Sequence, residues 1–135
     1  MQEHGLKISE LVTLFNLEVL NRGSDYDTAL LTITDVNRPG LQFHSFYDYF
    51  DPRRLQVLGK AEITYLKGLT TEQRRKCFDD LFLYDIPALV ISRGLDCFPE
   101  CLESARVHER TLLRTEETTV EFTSHTIEYL NRQLA

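Results

Sequence analysis

The sequence predicts an α/β fold, a three-layer α/β/α arrangement around a mixed, mostly parallel sheet of about five strands. Three observations carry that expectation. From Arg54 onward, apolar runs of strand length alternate with stretches of helical periodicity, joined by short connections. Ala88-Leu89-Val90-Ile91 is apolar throughout, which suits a central strand covered on both faces. The strands before Arg54 are expected to pair antiparallel, so the sheet should be mixed. At 135 residues the chain fits a single domain, residues 1–135.

Each element has a local reason. Ser9 to Phe15 carries Leu11, Val12, Leu14 and Phe15, a compact apolar face for an opening helix. Leu17 to Leu20 alternates apolar with polar residues, a short strand closed by the turn Asn21-Arg22-Gly23-Ser24-Asp25. Leu30 to Thr34, with its β-branched residues, is the second strand. Val36 to Leu41 then reads as a shaped loop. Pro39 fixes its own φ and pushes Arg38 out of the helical region, while Gly40 can supply the positive φ of a type II turn.

Leu55 to Leu58 is a third, buried strand, and Gly59 turns it into a helix from about Lys60 to Leu66, with Ile63 and Leu66 inward. Thr70-Thr71-Glu72-Gln73 has capping-box spacing. The helix it starts shows Cys77, Phe78, Leu81 and Phe82, a stripe for packing on a sheet, and Asp85-Ile86-Pro87 ends it. Pro99 fits the first turn of a helix through about His108. Leu112-Leu113 is the fifth strand. Glu116-Glu117 are expected to begin the last helix, where acidic residues complement the dipole, with Val120, Ile127, Leu130 and Leu134 near one face.

Composition excludes several classes. The 42% hydrophobic fraction is ordinary for a folded domain. A net charge of −6 lacks the basic footprint of a dedicated nucleic-acid binder. No apolar run is long enough to cross a bilayer, and the start Met1-Gln2-Glu3-His4-Gly5 lacks a signal-peptide pattern, so a cytoplasmic protein is expected. The cysteines Cys77, Cys97 and Cys101 are odd in number and form no secreted disulfide framework. Cys97 and Cys101 would share a face on a helix, but two thiolates are too few for structural zinc, and no metal site is expected.

The window from Val36 to Glu62 combines Arg38-Pro39-Gly40-Leu41, the cluster Tyr47-Asp48-Tyr49-Phe50, and Arg54-Leu55-Gln56-Val57-Leu58-Gly59 with Glu62. Together with Tyr84-Asp85-Ile86-Pro87-Ala88-Leu89-Val90-Ile91-Ser92-Arg93-Gly94 and Leu112-Leu113-Arg114-Thr115, it resembles the N-terminal domain of HPr kinase/phosphorylase over nearly the whole chain. The resemblance implies a non-catalytic assembly or regulatory domain in bacterial carbon catabolite control, with a fold similar to the uridine-nucleotide-binding N-terminal domains of the Mur ligases. It implies as partners the protein's own C-terminal kinase domain, the phosphocarrier HPr and further copies of the full-length chain, which is hexameric in the family. ATP and magnesium belong to that kinase domain, expected to begin just after Ala135. Gly59-Lys60 is followed by Ala61 instead of Ser or Thr and has no upstream glycine at P-loop spacing, so no catalytic residue and no cofactor is assigned to this chain.

Two groups remain as site candidates. In open α/β sheets, ligands bind beyond the carboxyl ends of the strands. If the strands ending at Ile33, Leu58, Ile91 and Leu113 share one direction, that edge carries Asp35 to Arg38, Lys60, Arg93 and Arg114-Thr115. Arg38, Lys60, Arg93 and Thr115 could then meet an anionic small molecule, Lys60 and Thr115 at helix starts. The plainer reading makes them turn residues, with Thr115 a helix N-cap. Tyr47, Tyr49 and Phe50, with Phe43 and Phe46, either pack the loop onto the core or present a contact patch to a partner. His125 and Glu128 would form a surface contact on the last helix.

Overall fold

The computed structural model describes residues 5–134, so the reading of the start from Met1 to His4 lies outside the described residues. Its element order is β1 (Leu6–Lys7), α1 (Ile8–Phe15), β2 (Glu18–Asn21), β3 (Leu30–Leu31), β4 (Val36–Asn37), α2 (Gly40–Phe43), β5 (Leu55–Leu58), α3 (Lys60–Lys67), α4 (Thr71–Phe82), β6 (Leu89–Ile91), α5 (Pro99–Val107), β7 (Leu112–Arg114) and α6 (Thr119–Leu134). The main sheet has five strands in the order β2-β7-β6-β5-β4. β4, β5, β6 and β7 are parallel, and β2 lies antiparallel on β7. The sheet is therefore mixed and mostly parallel, as expected from sequence.

Alternation along the strands sorts the core into two layers. Leu58, Leu89, Ile91 and Leu112 project into one cluster with Phe43, Ile63, Phe78, Phe82 and Ala105, beneath α2 to α5. Leu55, Val57, Val90 and Leu113 project into the other, with Ile8, Leu11, Phe122 and Leu130 from α1 and α6. Phe78, Phe82 and Phe122 are fully buried, each worth roughly 1.5–3 kcal/mol of hydrophobic transfer. The Thr70 cap forms as its spacing predicts: the Gln73 N–H donates to Thr70 Oγ1 at 3.1 Å, and the Thr70 N–H donates to Gln73 Oε1 at 2.9 Å.

Several expectations are corrected. The second strand is only Leu30–Leu31, and it pairs with Leu6–Lys7 in a separate two-stranded sheet. The strand that joins the main sheet is instead Val36–Asn37, where the sequence suggested loop. Side-chain amides hold it: Asn37 Nδ2 donates to Gln56 Oε1 at 2.7 Å and to Gln42 Oε1 at 2.9 Å. Pro39-Gly40 makes no type II turn. Pro39 stands at φ −78°, ψ 30° and caps the single-turn helix α2, so Gly40 needs no positive φ.

The last helix begins at Thr119, not at Glu116, because Thr118 is its cap: Thr118 Oγ1 accepts the Glu121 N–H at 3.2 Å. Its inner face is Thr119, Phe122, Thr126 and Leu130, and Val120 is 72% exposed. On α1, Ile8 and Leu11 are buried while Leu14 faces outward at 46% exposure.

Candidate functional site

The carboxyl ends of the four parallel strands form one edge. β4 delivers Arg38, β5 delivers Gly59 and Lys60, β6 delivers Ser92, Arg93 and Gly94, and β7 is followed by Thr115, Glu116 and Glu117. Arg38, Lys60, Arg93 and Thr115 thus do follow neighbouring strands. The strand ending near Ile33 contributes nothing, since it lies outside this sheet.

Most of the polar capacity of the edge is used internally. Arg38 makes a two-point contact with Glu62, Nε to Oε1 at 2.8 Å and Nη2 to Oε2 at 3.0 Å. The same Glu62 oxygen accepts the Gly59 N–H at 2.6 Å, so a side-chain carboxylate fills the start of α3, where free N–H groups would favour an anion. The packing there is close: a Cβ on Gly59 would lie 2.6 Å from both Arg38 Nη2 and Thr119 Oγ1. Beneath it, the Ser92 hydroxyl donates to the Leu58 carbonyl at 2.8 Å and stands 2.6 Å from Thr119 Oγ1.

Arg93 sits at φ 60° with its N–H on the Glu117 carbonyl at 2.8 Å, and the Gly94 N–H donates to the Thr115 carbonyl at 2.8 Å. Thr115 is buried and accepts the Glu117 N–H at 3.2 Å; it is not the helix cap. Lys60 and Arg93 are exposed and make no ion pair among the described residues. His125 contacts Glu117 at 2.6 Å rather than Glu128, which adds acidic side chains to the same edge. Glu62 and Thr119 are the residues that sequence reasoning missed. The Gly59-x-x-Glu62 spacing, half of a capping box, was the available signal for Glu62.

The aromatic loop occupies a different place, between α2 and the start of β5. Tyr47 stacks on Tyr84 with ring centres 4.8 Å apart, and Phe50 meets both rings edge-on at 5.4 and 5.0 Å. Burial, with the nearby Asp80 charge, pushes the Tyr47 phenol far above its ordinary range. Tyr49 is fully exposed at φ 64°, and Leu41, Phe46, Leu83 and Tyr84 are also exposed. Tyr47 and Phe50 therefore pack inward, as one of the two readings expected, while Tyr49 points to solvent. Tyr84 completes the cluster; in the sequence it entered only as the first residue of the Tyr84 to Gly94 run that carries the family resemblance.

Among the described residues no group of three or more His, Cys, Asp or Glu side chains is arranged to hold a metal ion, and no helix is long and apolar enough to cross a membrane. An open mixed sheet with a capped carboxyl edge and an exposed aromatic loop makes this chain a mixed α/β domain. The chain belongs to the HPr Serine kinase N terminus family, which matches residues 6–130. It is similar to the HPr kinase/phosphorylase of Clostridium perfringens (strain SM101 / Type A), 39% identical over 131 residues, 97% of this chain and 42% of that protein. It is likewise similar to that of Clostridium tetani (strain Massachusetts / E88), 40% identical over 131 residues with the same shares covered. The chain thus spans about 42% of the length of these relatives. Its fold is similar to the CBS and DRTGG domains of the regulatory region of Clostridium perfringens pyrophosphatase, with a TM-score of 0.63 and 12% identity, over 100% of this chain and 55% of that one. At that identity the likeness is one of fold alone.

Proposed function

We propose that this chain is the assembly and regulatory module of a bifunctional HPr serine kinase/phosphorylase that works in the bacterial cytoplasm. In this reading the catalytic portion uses ATP and magnesium to phosphorylate a serine of HPr and removes the phosphate by phosphorolysis. The module described here positions that portion within a homo-oligomer. The observation that carries the reading is the family match over residues 6–130, and the internal use of Arg38 and of the α3 start by Glu62 supports it. The experiment compares the full-length enzyme with a form lacking residues 1–130. The shortened enzyme should still transfer phosphate to HPr, with altered oligomer mass or altered response to phosphate and sugar phosphates. Complete loss of transfer by a folded catalytic portion would refute the reading.

A second reading, a sensor of an anionic metabolite, rests on the exposed Lys60 and Arg93 at the edge. The likeness to Mur ligase modules expected from sequence makes uridine nucleotides the first compounds for calorimetry, beside sugar phosphates. A third, recognition of HPr or another protein through Tyr47, Tyr49 and Phe50, rests on the fully exposed Tyr49.

A further inference from the structure

Helix α1 is apolar on more than its buried side. Ile8 and Leu11 enter the core, but Leu14 is 46% exposed and Phe15 is half-buried. A surface helix ordinarily turns polar side chains outward, so this face is short of a cover. α6 runs beside it, and Phe15 meets Phe122 and Tyr129 edge-on with ring centres 6.1 and 6.3 Å apart. Leu14 and Tyr129 line both of two adjoining open clefts, of about 460 and 270 Å³.

The clefts differ in charge. Around the first, the one charged residue is Glu10, whose carboxylate accepts the Lys7 N–H at 3.1 Å. Around the second stand Arg132, Glu128 one turn earlier on α6, and His125, which is 2.6 Å from Glu117. Arg132 lies over the Tyr129 ring, 5.8 Å from its centre. Neither Glu10 nor Arg132 makes an ion pair among the described residues. An apolar centre with an unpaired acid on one side and an unpaired base on the other matches a copy of itself. Rotation about a two-fold axis lays the acid of each copy on the base of the other.

We propose that two copies of this domain pair through the α1–α6 face. Leu14 of each copy packs on Tyr129 of the other, and Glu10 of each meets Arg132 of the other. The result is two equivalent ion pairs around an apolar centre, the arrangement of a small isologous interface. Arg132 is the cation for this role because His125 is already engaged by Glu117, and the exposed Glu128 stays in solvent at the rim. This pairing rests on the assembly reading, gives it a surface, and uses neither rim of the main sheet.

Sedimentation equilibrium of the 135-residue chain, over about 10 µM to 1 mM, should show a monomer–dimer equilibrium with a micromolar Kd, as befits a small interface. Leu14→Asp should weaken it at least about tenfold, since a carboxylate would be buried at the centre. Glu10→Arg and Arg132→Glu each set like charges together at both contacts and should weaken it about five- to tenfold. A one-to-one mixture of these two variants restores opposite charges at both contacts and should recover the wild-type Kd within about twofold. Glu10 also caps α1, so thermal melting accompanies its variant, while Leu14→Asp and Arg132→Glu touch no cap and read out separately. A chain monomeric throughout, a dimer indifferent to these variants, or a mixture no tighter than its components would each overturn the proposal. So would hydrogen-exchange protection of α1 and α6 gained only in the full-length enzyme, which would assign the face to the catalytic portion. The assembly reading is judged separately, by the oligomer mass of the enzyme lacking residues 1–130, so either can fail alone.

Discussion

Replacing Glu62 by alanine isolates the contact that closes the carboxyl edge. Two interactions disappear. The buried Gly59 N–H loses a charged acceptor at 2.6 Å, and a hydrogen bond to a charged group is worth about 1.5–3 kcal/mol when its partner is left unsatisfied. The Arg38 ion pair also goes, but the Arg38 side chain is 42% exposed, so solvent takes over much of that role and the loss is about 0.2–1 kcal/mol. The expected destabilisation of Glu62→Ala is therefore about 2–4 kcal/mol, a large part of the roughly 5–15 kcal/mol typical of a domain. Glu62→Gln retains an acceptor for the Gly59 N–H and should cost less than about half as much. Urea unfolding followed by circular dichroism measures both, and an Arg38→Met, Glu62→Gln double-mutant cycle isolates the ion pair, expected at about 1 kcal/mol or less. A change below about 0.5 kcal/mol for Glu62→Ala, or no difference between Ala and Gln, would refute the assignment of the stabilisation to the Gly59 N–H.

Thr126 Oγ1 is buried without a hydrogen-bond partner among the described residues. Thr126→Val should therefore be neutral or stabilising by up to about 1 kcal/mol, whereas Thr119→Val, which removes the hydroxyl donating to Ser92 Oγ while Ser92 keeps its bond to the Leu58 carbonyl, should cost about 0.5–1.5 kcal/mol in the same unfolding assay. At the surface, hydrogen bonds from Arg53 lower Asp51 from its ordinary carboxylate range to about 2. A depressed folded-state value means this contact contributes fully above the unfolded value and is lost as pH falls from about 4 through about 2. NMR titration should show Asp51 titrating last among the surface aspartates, and Arg53→Ala should return it toward its ordinary range.

Much of the frame was readable in the chain because local chemistry and tertiary packing agree there. The capping box at Thr70, the apolar run before Ser92 and the strand before Gly59 each carry enough adjacent signal to stand alone. Several of the failures share one cause: polar residues taking structural positions. β4 has only two residues, and side-chain amides from Gln42 and Gln56 hold it, so neither length nor periodicity announced it. The inner face of α6 includes Thr119 and Thr126, so an apolar count placed Val120 inward in error. At the edge, reading Arg38, Lys60 and Arg93 as a basic cluster overlooked that Glu62, from a following helix, returns to neutralise the first of them. Positive residues after strands can be counted from a sequence, but whether a carboxylate reaches them depends on how the next helix docks.

The rims of the sheet set a limit on how copies of this domain can join. One rim is a two-residue strand, and the other, β2, breaks register between Val19 and Asn21. Neither offers a sister molecule a long, regular ribbon of unpaired backbone groups to zip onto. Growth by strand addition is thereby disfavoured at both flanks of the main sheet. Side chains on the helical and loop surfaces offer more area for contacts between copies than these short strand edges do.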